Sequence, residues 1–169
     1  METDMRRSLA ALSLMLNLGF SAASENPESG TATADEVVAK VERAVALIRR
    51  DEDAGLDAIA DPLGEFVWKD TYVFVVDCEA DRVIANPAFP ERVGGDIKQH
   101  TDYAGYRYGL SLCETAGRPS GGWVEYVWLR PGTTTPTRKS SYVRSVPGTN
   151  YQLGAGIYGE KQSPQHIHE

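Results

Sequence analysis

The spacing of hydrophobic residues changes along the chain, and its first part is helical. In residues 33–50, apolar side chains recur about every 3.6 residues, which is typical of one stripe on an amphipathic helix. Thr33 and Glu36 have the spacing of a capping box, which predicts that the helix begins at Thr33. A shorter helix is predicted over about residues 53–60 and ends before Pro62. The stripe consists of Val37, Val38, Val41, Ala44, Val45 and Ile48.

From residue 70 onward the spacing falls to two residues, which indicates β-strands. Residues 87–108 are rich in glycine and proline and are predicted to form loops, and residues 108–117 are predicted to form a short helix. Turn-rich segments separate the strands at the end of the chain. The predicted strands are 70–77, 82–86, 122–130, 138–146 and 151–158.

Consecutive strands joined by short turns pair in antiparallel fashion. We therefore predict an α+β fold with an antiparallel sheet and the long N-terminal helix packed on one sheet face. Val73 and Val75 are expected to face the helix. The loops of residues 87–117 would cover the other face and leave a cavity for a ligand.

The N-terminal residues predict a secretory signal peptide over residues 1–23. Arg6 and Arg7 precede a short apolar run, and the small residues 21–24 follow it. The alternative is an ordinary amphipathic helix. The apolar run is too short to span a bilayer, so we expect a mature protein without a membrane span, in the periplasm or secreted. Residues 24–32 are predicted to be a linker, and residues 161–169 a flexible tail.

Composition narrows the classes of partner. The formal net charge of −7 argues against a nucleic-acid partner, which would need a basic surface. Cys78 and Cys113 could form a disulfide in an oxidising compartment, or they could be two small buried apolar groups. The sequence leaves both alternatives open.

Catalysis has little support in the sequence. The histidines are His100, His166 and His168; they do not have the spacing of a structural zinc site. No serine lies in a G-x-S-x-G motif, and the carboxylates form no evident acid–base pair. We expect no enzyme activity, no cofactor and no metal site. A secreted hydrolase or isomerase with dispersed catalytic residues, or a structural envelope protein without a pocket, are the alternatives.

Aromatic and basic residues are concentrated in residues 121–159. Lys139 could be the counter-charge for a small anion, or a strand-edge lysine in water. Tyr126 and Trp128 share one strand face and could form the wall of a pocket, or could pack on the helix. Tyr72 shares a face with Phe74 by the same alternation. The glycines of "GAGIYG" are expected to allow close backbone approach.

Six short segments follow one another along the chain: "YVFVVD", "IANP", "GGDI", "GGWVEYVW", "KSSYV" and "GAGIYG". In this order they resemble the single Cache domain, an extracytoplasmic sensor module of bacterial chemoreceptors and histidine kinases that also occurs as free secreted proteins. The resemblance covers about residues 34–159 and places residues 33–160 in one sensor domain. It implies a PAS-like antiparallel sheet with a small organic ligand between the sheet and the loops.

The resemblance also implies a ligand class: small carboxylates such as acetate, propionate, pyruvate or lactate. Lys139 would be the counter-charge, and Asn86 takes the place of the histidine that is usual in the family. Asp102 is interpreted either as part of a loop turn that faces the pocket or as a surface turn. The signal would pass to a separate partner such as a membrane-bound kinase or transporter. The expected wall residues are Tyr72, Tyr126, Trp128 and Tyr142, although strict alternation puts Tyr142 opposite Lys139 unless a bulge intervenes.

Overall fold

The computed structural model describes residues 30–159. The predicted signal peptide (1–23) and tail (161–169) lie outside the described residues, as do His166 and His168. Within residues 30–159, no helix combines the length and the apolar character needed to cross a bilayer. The elements are α1 (Ala34–Arg50), α2 (Glu52–Ala60), β1 (Val67–Trp68), β2 (Thr71–Tyr72), β3 (Phe74–Asp77), β4 (Arg82–Ala85), a 3₁₀ turn (Pro90–Arg92), α3 (Tyr108–Ala116), β5 (Gly122–Leu129), β6 (Pro136–Ser145) and β7 (Tyr151–Tyr158).

The capping box at the start of α1 is confirmed. The Thr33 hydroxyl accepts a hydrogen bond from the Glu36 amide, and the Glu36 carboxylate accepts one from the Thr33 amide at 2.9 Å. Ala32 belongs to the predicted linker, yet it is buried, and its amide donates to Asp70 at 2.8 Å. Packing against the rest of the domain therefore begins before the helix does.

Five strands form one antiparallel sheet in the order β4-β3-β7-β6-β5. The last strand of the chain thus lies in the middle, between β3 and β6. Together with the N-terminal helices, this sheet confirms the predicted α+β fold. The single strand predicted over residues 70–77 is wrong in one respect. It is interrupted at Val73, and its first part, β2, pairs instead with β1, a two-residue strand that the sequence pattern did not predict.

The two faces of the sheet bury different kinds of side chain. The apolar stripe of α1 packs against aliphatic residues of β3 and β7, including Val75 and Leu153, and Val73 joins this cluster as predicted. The other face carries Tyr72, Phe74 and further aromatic residues, which α3 and the preceding loop cover. Since each fully buried large apolar side chain contributes about 1.5–3 kcal/mol, both layers stabilise the fold.

Cys78 and Cys113 form a disulfide, so the alternative of two unpaired buried cysteines is wrong. The bond joins the end of β3 to α3 and closes 35 residues of chain. It is consistent with an extracytoplasmic location. Because α3 covers the aromatic face of the sheet, the disulfide fixes that cover to the sheet.

Candidate ligand-binding site

A small cavity lies between the aromatic sheet face and the covering segment, in the position that the sequence predicted. Its volume is about 30 Å³, which is room for about two water molecules. The lining combines aromatic rings with a few polar groups, as ligand pockets do. The lining residues are Tyr72, Phe74, Val76, Val83, Asn86, Arg92, Ile97, His100, Tyr108, Leu112, Tyr126 and Trp128.

Aromatic rings from β5 and α3 form one wall of this cavity. Tyr126 stacks on Tyr108 with ring centroids 4.5 Å apart, and Trp128 lies 5.2 Å from Tyr108. Strand alternation puts Tyr126 and Trp128 on the cavity side, so the alternative that they pack on α1 is wrong. Burial raises the pKa of Tyr108 to about 12, so its hydroxyl is protonated at neutral pH and can donate a hydrogen bond.

Lys139 is completely buried, with 0 % of its surface exposed, so the alternative of a strand-edge lysine in water is wrong. Its ammonium nitrogen lies among four aromatic rings and donates a hydrogen bond to the Tyr72 hydroxyl at 3.3 Å. Tyr72 in turn lines the cavity, whereas Lys139 lies behind it. The distances from the nitrogen to the ring centroids are 4.3 Å for Tyr72, 5.0 Å for Tyr158, 5.4 Å for Phe74 and 5.9 Å for Tyr126.

Space for the lysine comes from the neighbouring strand. A Cβ atom at Gly156 of β7 would lie 2.7 Å from Lys139 Cε and 2.6 Å from Ser141 Oγ. A Cβ at Gly154 would lie 2.5 Å from the Phe74 ring. The sequence predicted close backbone approach at these glycines; the groups that lie against Gly154 and Gly156 are side chains.

Burial lowers the pKa of Lys139 to about 7, while the nearby Asp70 carboxylate acts in the opposite direction. Asp70 is itself engaged elsewhere: it accepts the Ala32 amide, and its other carboxylate oxygen lies 3.5 Å from Arg130 Nε without a hydrogen bond. The lysine therefore changes charge near neutral pH, and an added anion beside it would favour the charged form.

The placement of Tyr142 differs from the predicted pocket wall. It belongs to the cluster that packs on α1, and its hydroxyl lies 2.8 Å from the Ser120 carbonyl oxygen and 3.2 Å from the Glu42 carboxylate, either of which can accept its one proton. The pairing of β6 with both neighbours is continuous, so no bulge brings Tyr142 to the side of Lys139. Strict alternation therefore decides its position, on the face away from the cavity.

The surface-turn interpretation of Asp102 is the one that the structure supports, since residues 103–107 after it are exposed and Asp102 does not line the cavity. Asp102 itself is 7 % exposed, and its carboxylate accepts hydrogen bonds from the amides of Ala104, Tyr106 and Val127 at 2.7–2.8 Å. Burial alone would raise the pKa of Asp102, but the backbone amides outweigh burial and hold it below its usual value. The carboxylate thus fixes the covering loop to β5.

The remaining predicted residue, Asn86, lines the cavity, and its side-chain oxygen accepts the Phe89 amide at 3.0 Å. Sequence reasoning missed Arg92 and His100, which also line the cavity, and Tyr158, which lies beside Lys139. Arg92 and His100 lie in a segment without periodic spacing, so the sequence pattern did not predict that they line the cavity. Tyr158 could have been found, since strand alternation puts it on the same face as Gly154 and Gly156.

The family model described as Single Cache domain 2 matches residues 12–164. The chain belongs to the single Cache domain family. Cache sensor domains of this family bind ligands and are non-catalytic, which confirms the expectation that the chain is not an enzyme. A structural envelope protein was expected to lack a pocket, and the cavity argues against it.

Relatives of this Cache domain are chemotaxis receptors. The methyl-accepting chemotaxis protein McpP of Pseudomonas putida is 27 % identical over 89 residues, which are 53 % of this chain and 16 % of that receptor. The chain therefore spans only a small part of the curated relative that it matches. The similarity supports a role in chemosensory ligand binding, while the activity of the whole receptor does not follow from it.

Solved structures agree with the Cache fold. A periplasmic sensor domain of a chemotaxis protein is 27 % identical, with a TM-score of 0.58 over 71 % of this chain and 85 % of that one. A Cache chemosensory domain described in terms of carboxylic acid recognition is 25 % identical, with a TM-score of 0.55 over 72 % and 80 %. A methyl-accepting chemotaxis protein from Vibrio parahaemolyticus is 19 % identical, with a TM-score of 0.62 over 73 % and 86 %, and shows the fold alone.

Proposed function

We propose that this Cache domain senses a small carboxylate of the acetate, propionate, pyruvate and lactate class outside the cytoplasm. The observation that carries the proposal is the hydrogen bond from the buried ammonium of Lys139 to the cavity-lining hydroxyl of Tyr72. Because that hydroxyl accepts from Lys139, its own proton is available to an oxygen atom in the cavity. A carboxylate in that position would be bound by a charge-assisted pair of groups.

The charge of Lys139 supports an anionic guest. A buried ammonium without a close anion carries a desolvation penalty, and the lowered pKa reflects it. Within residues 30–159, the carboxylate that influences this pKa is that of Asp70, which is already engaged with Ala32 and Arg130. A bound carboxylate would offset the penalty, so binding energy is available specifically to anions.

The size and lining of the cavity support a short guest. Tyr108, Tyr126 and Trp128 surround the space with aromatic rings, which suit a methyl or methylene group. A volume of about 30 Å³ has room for about two water molecules, so even a short acid requires the covering loop to move, and a long chain requires a larger movement. The relative whose description names carboxylic acid recognition is consistent with this class.

Binding of the candidate acids to the purified domain tests the proposal. Isothermal titration at pH 7 with acetate, propionate, pyruvate and L-lactate is expected to show binding, and propionamide, which has no charge, is expected to show none. Lys139→Met keeps the bulk and removes the charge, so its affinity for the acids is expected to fall at least about 100-fold. Lys98→Met, outside the cavity lining, is the matched control. Unchanged acid binding by a folded Lys139→Met variant would contradict the proposal.

The path of the signal is a separate part of the proposal. We expect ligand binding to change the affinity of the domain for a separate membrane-bound partner, such as a kinase or a transporter. Capture of membrane proteins by the immobilised domain, with and without the acid, tests this expectation. A partner whose capture is independent of the acid would contradict signal transfer by ligand binding.

A further inference from the structure

The polar groups around the cavity fall into two sets. Those on the sheet side each have at least one partner: Tyr72 accepts from Lys139, Tyr126 pairs with Ser141 at 2.9 Å, and the Asn86 oxygen accepts the Phe89 amide. On the side of the covering segment, the buried Nδ1 of His100 has no hydrogen-bond partner within residues 30–159, and Arg92 is in none of the ion pairs found there. They therefore have hydrogen-bonding capacity left for a guest.

His100 shows this most clearly. Its Nδ1 atom is buried and has no hydrogen-bond partner among residues 30–159, and the residue lines the cavity. The ring packs over the bare backbone of Gly95, where a Cβ atom would lie 3.3 Å from Cε1. A buried ring nitrogen without a partner carries a free-energy penalty, and a group in the cavity that bonds to it would remove that penalty.

Arg92 lies at the same side of the cavity. Its guanidinium carbon lies over the Trp128 ring, 4.8 Å from the centroid, and a guanidinium in such a position can direct its N–H donors to other groups. It takes part in none of the ion pairs found within the described part of the chain. A cation and an imidazole thus border the cavity from the covering side, while Tyr72 borders it from the sheet side.

We propose that His100 and Arg92 recognise an oxygen atom on the carbon next to the ligand's carboxylate, so that the domain prefers 2-hydroxy and 2-oxo acids to plain alkanoic acids. This inference rests on the proposed function, in which the carboxylate contacts Tyr72. Depending on which ring nitrogen carries the proton, the imidazole can donate to an oxo group or accept from a hydroxyl group through Nδ1. Because the cavity is small, an oxygen on the adjacent carbon fits better than a distant second carboxylate.

Four acids of three carbons separate the possibilities: propionate, L-lactate, pyruvate and malonate. The wild-type protein is expected to bind lactate or pyruvate about tenfold or more tightly than propionate, because a polar site rejects an analogue that leaves its groups unpaired. His100→Ala is expected to abolish this preference, because the affinities for lactate and pyruvate fall about tenfold more than the affinity for propionate. Arg92→Gln is expected to reduce the preference in the same way.

Two further variants separate recognition from loss of structure. His100→Gln keeps a side-chain donor and acceptor and is expected to retain part of the preference. Gln99→Ala changes the exposed neighbouring residue and is expected to leave all four affinities unchanged. Thermal unfolding of each variant establishes that it is folded.

Every outcome decides between the two proposals. Equal wild-type affinities for propionate and lactate or pyruvate, or equal losses for all acids in His100→Ala, overturn the inference and leave the carboxylate proposal standing. Preference for malonate overturns the choice of a 2-hydroxy or 2-oxo group. If none of the four acids binds, both proposals are overturned.

Discussion

The ammonium nitrogen of Lys139 lies 3.3 Å from the hydroxyl oxygen of Tyr72 and 4.3 Å from the centroid of its ring. These residues come from β6 and β2, 67 positions apart in the chain. The Thr71 hydroxyl, next to Tyr72, donates to the Gly156 carbonyl of β7 at 2.6 Å and ties β2 to the sheet. One tyrosine thus connects a charge in the protein interior with the surface of the cavity.

The first prediction concerns the pH dependence of folding stability. The pKa of Lys139 is about 7 in the folded protein, below its usual value of 10.5, so the unfolded chain binds more protons between these values. The free energy of unfolding should therefore rise from pH 7 until tyrosines begin to ionise in the unfolded chain, near pH 10. Lys139→Met should remove this rise and be more stable at pH 6 by about 3 kcal/mol.

Urea unfolding at half-unit steps from pH 6 to pH 9.5 measures this dependence. Lys98→Met serves as the control and should follow the wild-type profile. The groups around Lys139 that also titrate are Tyr72, Tyr126, Tyr158 and Asp70. Burial raises the pKa of each of the three tyrosines, so they stay neutral in this range. A wild-type profile that is flat between pH 7 and 9.5 would show that Lys139 keeps its charge throughout.

The second prediction concerns ligand affinity. A bound carboxylate would raise the pKa of Lys139, so binding takes up a proton above pH 7. The affinity for an acid should be nearly constant below pH 7 and fall by up to about tenfold per pH unit above it. Titration calorimetry in buffers of different ionisation enthalpy measures the proton uptake directly. Equal affinity at pH 6 and pH 9 would mean that the ligand does not interact with the charge of Lys139.

The third prediction concerns the disulfide. The two cysteines are 35 residues apart in the chain. In the chain-entropy model, cross-linking a loop of this length stabilises the folded state by about 4 kcal/mol. The double variant Cys78→Ser/Cys113→Ser should therefore lose about 2–4 kcal/mol of unfolding free energy. Because Leu112 and Tyr108 of α3 line the cavity, the affinity of the double variant for the acids should fall as well. Denaturant unfolding with and without reductant measures the effect, and the double variant should not respond to reductant.

The fourth prediction concerns the attachment of the covering loop. Asp102→Asn replaces one of two acceptor oxygens with a donor that faces a backbone amide, so we expect a loss of about 2–3 kcal/mol. Asp96→Asn is the matched control: among the described residues, this exposed side chain accepts the Gln99 amide and no other, and its change should stay within about 0.5 kcal/mol. Chemical unfolding at pH 7 compares them. Equal losses in the two variants would contradict the role assigned to Asp102.

The pH dependence of the Asp102 contribution has the opposite direction to that of Lys139. Its pKa is below the usual value in the folded state. Its stabilisation is therefore fully present above the pKa of the unfolded chain, about 3.9, and is lost as pH falls through the folded value. The difference in unfolding free energy between the wild type and Asp102→Asn should become smaller below pH 4.

Periodic spacing predicted much of the fold. The 3.6-residue period and the capping box placed the start of α1 correctly, and alternation in β5 put Tyr126 and Trp128 on one face. Alternation also predicted that Tyr142 and Lys139 lie on opposite faces of the sheet, as observed. The prediction that Tyr142 forms part of the pocket wall went against this alternation. Such patterns work because burial on one face repeats with the geometry of the element.

Contacts between distant parts of the chain were not predictable in this way. The ribbon β1–β2 has two residues per strand, too few to produce a period. Asp102 contacts Val127, 25 residues away, and its short-range turn pattern is the same as that of a surface aspartate. Arg92 and His100 reach the cavity from loops, whose path depends on packing and not on repeating side-chain direction.

Gly156 of β7, which has no side chain beside Lys139, has a consequence for comparison with other Cache domains. Since the side chain of Lys139 occupies the room that a Cβ at Gly156 would take, the two positions are coupled by volume. We expect relatives with a smaller residue in place of the lysine to tolerate alanine or serine at the glycine, and relatives with the lysine to retain glycine. Joint variation of these two positions in an alignment would thus mark which sensors contain an interior cation.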